Sequence, residues 1–106
     1  MSVKDEIYAF CEKMNQDPGH MEGNDLIFQV NLKESGPIQM QIKDSKITVY
    51  EDCPLKPELT LTISDEDYSK LLKNQLNTTV ALMTGKAKVD NVGKALKLLE
   101  IVKLYY

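Results

Sequence analysis

Residues 59–101, LTLTISDEDYSKLLKNQLNTTVALMTGKAKVDNVGKALKLLEI, change periodicity several times, and the order of those changes decides the fold. Leu59, Leu61 and Ile63 alternate with Thr60 and Thr62, the pattern of a half-buried strand whose β-branched residues suit a pleated surface. Ser64-Asp65-Glu66-Asp67 then begins a helix: a hydroxyl accepts an orphan N–H, and three carboxylates sit at the positive end of the helix dipole. Tyr68, Leu71, Leu72 and Leu76 mark its buried stripe. Thr78 or Thr79 caps a second, short helix carrying Val80, Ala81 and Met83, and Gly85 ends it. Lys86-Ala87-Lys88-Val89-Asp90 alternates as a short strand, and Asn91 caps a last helix.

On that last helix Val92, Ala95, Leu96, Leu98, Leu99, Ile101, Val102, Leu104 and Tyr105 are apolar. At 100° per residue they cover more than half the circumference, whereas a helix with its back to water needs an arc of only about 100°. The helix therefore touches a second surface besides the sheet: another helix, the chain's own terminus, a ligand or a partner.

Upstream, Ser2 caps a first helix with Asp5 three residues on, and Val3, Ile7, Phe10, Cys11 and Met14 follow one helical face to about Gln16. Asp17 to Asp25, with Pro18, Gly19 and Gly23, reads as a loop. From Leu26 the period becomes two. Phe28, Val30 and Leu32 form one strand, Ile38, Met40 and Ile42 a second, and Lys46 to Tyr50 a third. Glu34-Ser35-Gly36 and Asp44-Ser45 supply hairpin turns, so the three make a meander, and a loop with Pro54 and Pro57 leads back to Leu59.

A chain of 106 residues, 42% hydrophobic and 27% charged, suits one globular domain over residues 1–106. Its net charge of −3 and scattered lysines argue against nucleic acid as a partner. The start, MSVKDEIYAF, lacks the features of a secretion signal and no run spans a bilayer, which together imply a cytoplasmic protein. Cys11 and Cys53 lie far apart with no CxxC, and read as isolated reduced thiols.

With its alternating strand, acidic helix start, Asn-containing corner, small apolar helix, GK-plus-strand segment and Gly-containing final helix, the quoted run resembles the C-terminal two fifths of the sterol carrier protein type 2 domain. Order and spacing agree without a gap, and Leu26 to Tyr50 resembles that family's first three strands. The resemblance implies an α+β fold: a curved, mostly antiparallel five-stranded sheet covered by helices, with a hydrophobic tunnel between the layers. It also implies binding of a fatty acid, fatty acyl-CoA, sterol or related lipid there; separately, the expectation is a monomer or homodimer without a cofactor, with transient membrane contact as a further candidate partner.

Carried over position by position, the family's cavity-lining segments fall on Leu71, Leu72 and Leu76, on Val80 and Met83, and on Leu96 and Leu99. Inward strand residues Phe28, Val30, Met40, Leu61 and Ile63 form the floor. The chain departs from the family at Lys73-Asn74-Gln75, where relatives have a glycine and a small residue, and at Thr78, where they have a proline. Leu99 stands where many carry a glutamine. The chain ends Leu104-Tyr105-Tyr106 rather than in a peroxisomal tripeptide.

Binding needs no catalytic set, and burying a chain of roughly 16 carbons yields on the order of 10 kcal/mol before ordering costs, which gives micromolar affinity. Enzymatic signatures are missing: the lone His20 lies in the Pro-Gly loop near Glu22, and no nucleophile elbow, P-loop or dinucleotide fingerprint is present. The Asp65–Asp67 cluster is accounted for by the helix dipole rather than by a metal. The expectation is a non-enzymatic lipid carrier. The alternative is an interaction or dimerisation module of the same fold, with Leu104, Tyr105 and Tyr106 as its adhesive end.

Overall fold

The computed structural model describes residues 2–106. Helix α1 (Val3–Gln16) opens with the full reciprocal cap, the Ser2 hydroxyl accepting from Asp5 N–H while the Asp5 carboxylate accepts from Ser2 N–H. Val3, Ile7, Cys11 and Met14 are its buried stripe. The following segment is not wholly irregular: Pro18–Met21 makes a 3-10 turn that sinks Met21 completely into the core.

Strands β1 (Leu26–Leu32), β2 (Gly36–Lys43) and β3 (Lys46–Tyr50) form the meander. Asp44 and Ser45 both take positive φ, so the β2–β3 connection is a two-residue turn whose twist matches the strands. Gly36 closes the β1–β2 turn at φ +87°, a conformation costly for any residue with a Cβ. Strand β4 (Leu59–Ile63) returns parallel to β1, and β5 (Ala87–Val89) pairs antiparallel with β4, giving the order β3-β2-β1-β4-β5.

Helix α2 (Asp65–Leu72) is capped by the Ser64 hydroxyl, which accepts from Asp67 N–H at 3.1 Å. The cap of α3 (Thr78–Met83) is Asn77 rather than Thr78 or Thr79: its side-chain oxygen accepts from Val80 N–H at 3.1 Å, and Thr78 becomes the first helical residue. Asn91 caps α4 (Val92–Lys103) by accepting from Lys94 N–H.

Register places all inward side chains on one face of the sheet. Met40, Phe28 and Leu59 lie opposite one another across β2, β1 and β4, as do Ile38, Val30, Leu61 and Val89 across β2, β1, β4 and β5. The helices cover this face, with α1 against α2 and β3 and α3 against β5. On the opposite face Gln39 is buried among polar partners: its amide donates to the Leu55 carbonyl and accepts from Leu55 N–H at 2.9 Å, which fastens the 51–58 loop to the sheet.

Strand β3 is an edge, and α1 guards it. Asn15 Nδ2 donates to the Ile47 carbonyl and Ile47 N–H donates to Asn15 Oδ1, both at 2.9 Å, so one side chain satisfies the two outward backbone groups of that residue.

Candidate functional site

Between the inner sheet face and the four helices lies an apolar cavity of about 90 Å³. Its floor comes from alternate strand positions: Phe28, Met40 and Ile47, then Leu59, Leu61 and Val89. Helix α1 contributes Ile7, Phe10, Cys11 and Met14; α2 contributes Tyr68, Leu71 and Leu72, with Leu76 just beyond its end. Thr78, Ala81 and Leu82 close it from α3, and Ala95, Leu96, Leu98, Leu99 and Val102 from α4. Ala81, Ala87 and Ala95 are the small residues of this wall, and a larger side chain at any of them fills part of the space.

The structure therefore brings together Phe28, Met40, Leu61, Leu71, Leu72, Leu76, Leu96 and Leu99 among the residues singled out in the sequence. Val30 and Ile63 are fully buried but belong to the packed core rather than to the cavity wall. Val80 and Met83 lie elsewhere: they are 49% and 82% exposed, because a six-residue helix spends its inward positions on Thr78, Ala81 and Leu82. The α1 contribution is one that sequence reasoning assigned only to core. Its stripe was visible at helical spacing, but nothing in the pattern distinguishes a side chain facing another side chain from one facing a void.

No charged side chain lines the cavity. The lining residues with polar side-chain atoms are Tyr68, Thr78 and Cys11. Burial pushes Cys11 up to about 12 and raises Tyr68 as well, so both stay protonated and neutral at physiological pH and offer neither nucleophile nor base. Among the described residues no three His, Cys, Asp or Glu side chains gather to hold a metal ion. His20 lies outside the cavity, its ring edge-on to Tyr105 at 5.3 Å.

Some residues of the cavity wall also meet solvent. Leu96 lines it while remaining 52% exposed. Phe10 and Leu72 line both the cavity and a surface groove between α1 and α2 whose rim carries Glu6, Lys13 and Lys73. Lys73 Nζ lies 3.2 Å from Glu6 Oε1 across that groove. The Ser69 hydroxyl, more than the Lys73 ammonium, holds the Glu6 carboxyl below the usual carboxylate range, against the opposing effect of burial.

At the chain's end Leu104 and Tyr106 are exposed, whereas Tyr105 is not. Tyr105 is buried and its hydroxyl donates to the Asp17 carbonyl at 2.6 Å, while the Tyr106 hydroxyl donates to the Leu71 carbonyl.

Solved structures share this architecture. The palmitated sterol carrier protein 2 like 2 of Aedes aegypti, determined in solution, superposes with a TM-score of 0.71 at 26% identity, over 96% of this chain and 95% of that one. A crystal structure of the same Aedes aegypti protein gives 0.63 at 24% identity, over 92% and 97%. A sec-alkylsulfatase from Pseudomonas gives 0.73 at 20% identity over 84% of this chain, which spans only 14% of that enzyme, so there the fold is one part of a larger protein. No curated protein sequence matches the chain. The sequence profile of the SCP-2 sterol transfer family matches residues 8–103, nearly the whole described chain, and the protein belongs to that family.

Proposed function

We propose that this chain holds a single-chain lipid, a fatty acid or fatty acyl-CoA in preference to a rigid sterol, in the cavity between sheet and helices, and carries it between sites inside the cell. The observation that carries this reading is a wall without a charged side chain around an unfilled space of about 90 Å³. A void of that size costs about 2 kcal/mol of stability, at roughly 24 cal/mol per Å³, and a guest recovers that cost on binding. Since one water needs about 10–15 Å³ of such space, the cavity accommodates roughly six to nine water-sized groups, on the order of half a 16-carbon chain. The remainder enters as half-buried leucines such as Leu72, Leu76 and Leu82 turn aside, which a flexible chain exploits and a fused ring system does not. Membership of a sterol transfer family supports a lipid guest, and the palmitated state of the Aedes aegypti relative supports a single-chain one. Catalysis has no support in the cavity, whose titratable groups are neutral and unpaired with any base.

The test is titration with a fluorescent fatty acid. Leu99→Asp puts a carboxylate into the apolar wall and is expected to weaken binding about tenfold or more, since an uncompensated polar group there costs at least about 1–3 kcal/mol. Leu26→Ala, a core change away from the cavity, is expected to lower the Tm while leaving affinity nearly unchanged. Equal affinity of wild type and Leu99→Asp overturns the assignment, and a lipid-free, stable dimer in native mass spectrometry favours an assembly role instead.

A further inference from the structure

One ion pair of this fold is left incomplete. Glu6 on α1 and Lys73 at the C-terminal cap of α2 meet at 3.2 Å across the groove between the two helices. Glu6 Oε2 is nonetheless buried without a hydrogen-bond partner, because the nearby Ser69 hydroxyl acts on the carboxyl without completing a bond to that oxygen. A buried carboxylate oxygen in that state is costly. Lys13 stands two helical turns beyond Glu6 on the same face of α1 and makes no ion pair among the described residues. Its ammonium lies 5.9 Å from the centre of the Phe10 ring.

The groove thus sets two ammonium groups against one carboxylate, a local charge of +1 in a protein whose net charge is −3. Ala9 adds little bulk between Glu6 and Lys13, and about 280 Å³ stays open over Phe10 and Leu72, roughly three times the space in the cavity. Both of those side chains also belong to the cavity wall. Phe10 is held by the Tyr106 ring, edge-on at 6.3 Å, whereas Leu72 is half-buried at the last position of α2 and is the less constrained of the two.

We propose that this groove seats the ligand's headgroup: a carboxylate that takes the place of Glu6 on Lys73 and meets Lys13, with its acyl chain passing beside Leu72 into the cavity. This deepens the lipid-carrier reading and rests on it, and it narrows the ligand to a free long-chain fatty acid. The cavity takes about half of a 16-carbon chain, and the groove takes the rest with the charged end at its rim. A single negative charge cancels the local charge of +1, whereas the several phosphates of an acyl-CoA exceed it and a sterol hydroxyl leaves it unanswered. Glu6 is then an internal stand-in for the ligand. Displaced toward solvent, it regains water at the oxygen that lacks a partner in the fold.

The experiment is equilibrium binding of radiolabelled palmitate and of radiolabelled methyl palmitate to the full chain at neutral pH and low salt. Lys73→Gln is expected to weaken palmitate about fivefold and to leave the neutral ester unmoved. Lys13→Gln, at an exposed and unpaired position that keeps the test informative if loss of Lys73 unsettles the fold, is expected to weaken palmitate about twofold or more. Glu6→Gln removes the competitor and is expected to tighten palmitate severalfold, again without effect on the ester. A ratio of acid to ester affinity that is the same in wild type and in the double variant Lys13→Gln/Lys73→Gln overturns the headgroup seat and leaves the carrier role standing. So does a Glu6→Gln protein that loses acid and ester alike, which makes the ion pair only structural. Failure of the wild type to bind either ligand overturns the carrier reading, and the headgroup seat with it.

Discussion

Cys11 shows how position rather than identity sets a residue's chemistry. Its thiol is buried in the wall of an apolar space, and burial raises its pKa from 9.0 to about 12. The folded state thus favours the protonated thiol more than the unfolded chain does. Its contribution to stability is complete below pH 9 and is lost as pH rises toward 12. Tyr68, buried beside the same space, shifts in the same direction. Denaturation midpoints are expected to fall steeply between about pH 9 and pH 11, and less steeply in Cys11→Val, which keeps the volume and removes the proton. A Val variant with an unchanged alkaline limb in equilibrium unfolding refutes this. In sequence, Cys11 was legible as buried and isolated. That it lines a cavity was not, because period and polarity locate an inward face without telling what fills the space beyond. For the same reason Val80 and Met83 resembled wall residues: apolar character at a short helix does not say which turn faces in, and two exposed hydrophobes on six residues defeat the average.

Among elements, the helices begin where side-chain chemistry directs. Ser2, Ser64 and Asn91 cap as their sequences imply, each accepting from a backbone N–H three residues on. For α3 the sequence reading puts the cap on Thr78 or Thr79 and passes over Asn77, one residue earlier. Asn77 prevails because its backbone is extended and its side chain reaches Val80 N–H. Because α3 is short, this one contact is a large share of what holds it over the cavity. Asn77→Ala is expected to cost about 1 kcal/mol and to raise amide exchange selectively in residues 78–83. Uniform acceleration across the protein argues for global destabilisation instead. At the start of α2 the acidic cluster does more than favour the dipole. Asp65 accepts from Glu34 and Ser35 N–H at 3.3 and 3.2 Å, while Asp65 N–H donates to Glu34 Oε1 at 2.9 Å, tying the helix to the β1–β2 turn. Burial alone would raise the Asp65 carboxyl, but the hydrogen bonds from Ser35 and Glu34 outweigh it and hold the group below the usual carboxylate range. A long-range clasp of this kind leaves no trace in local periodicity.

At the scale of the whole molecule, five strands and four helices were legible in order, because each change of period falls at a turn or a cap. The strand order required more: β4 inserts beside β1 in parallel, leaving β3 and β5 as the margins. The three-residue β5 is too short to recruit a stranger, but β3 has five residues and faces open space beyond Asn15. By occupying both outward groups of Ile47, that amide impersonates a neighbouring chain and removes the template on which another copy would zip. Asn15→Ala is expected to change the unfolding free energy by no more than about 1 kcal/mol yet make the protein turn cloudy on prolonged warming, with thioflavin-positive fibrils. A variant that stays clear and monomeric under scattering assigns the protection elsewhere. One carboxamide thus stands where a further strand would otherwise pair.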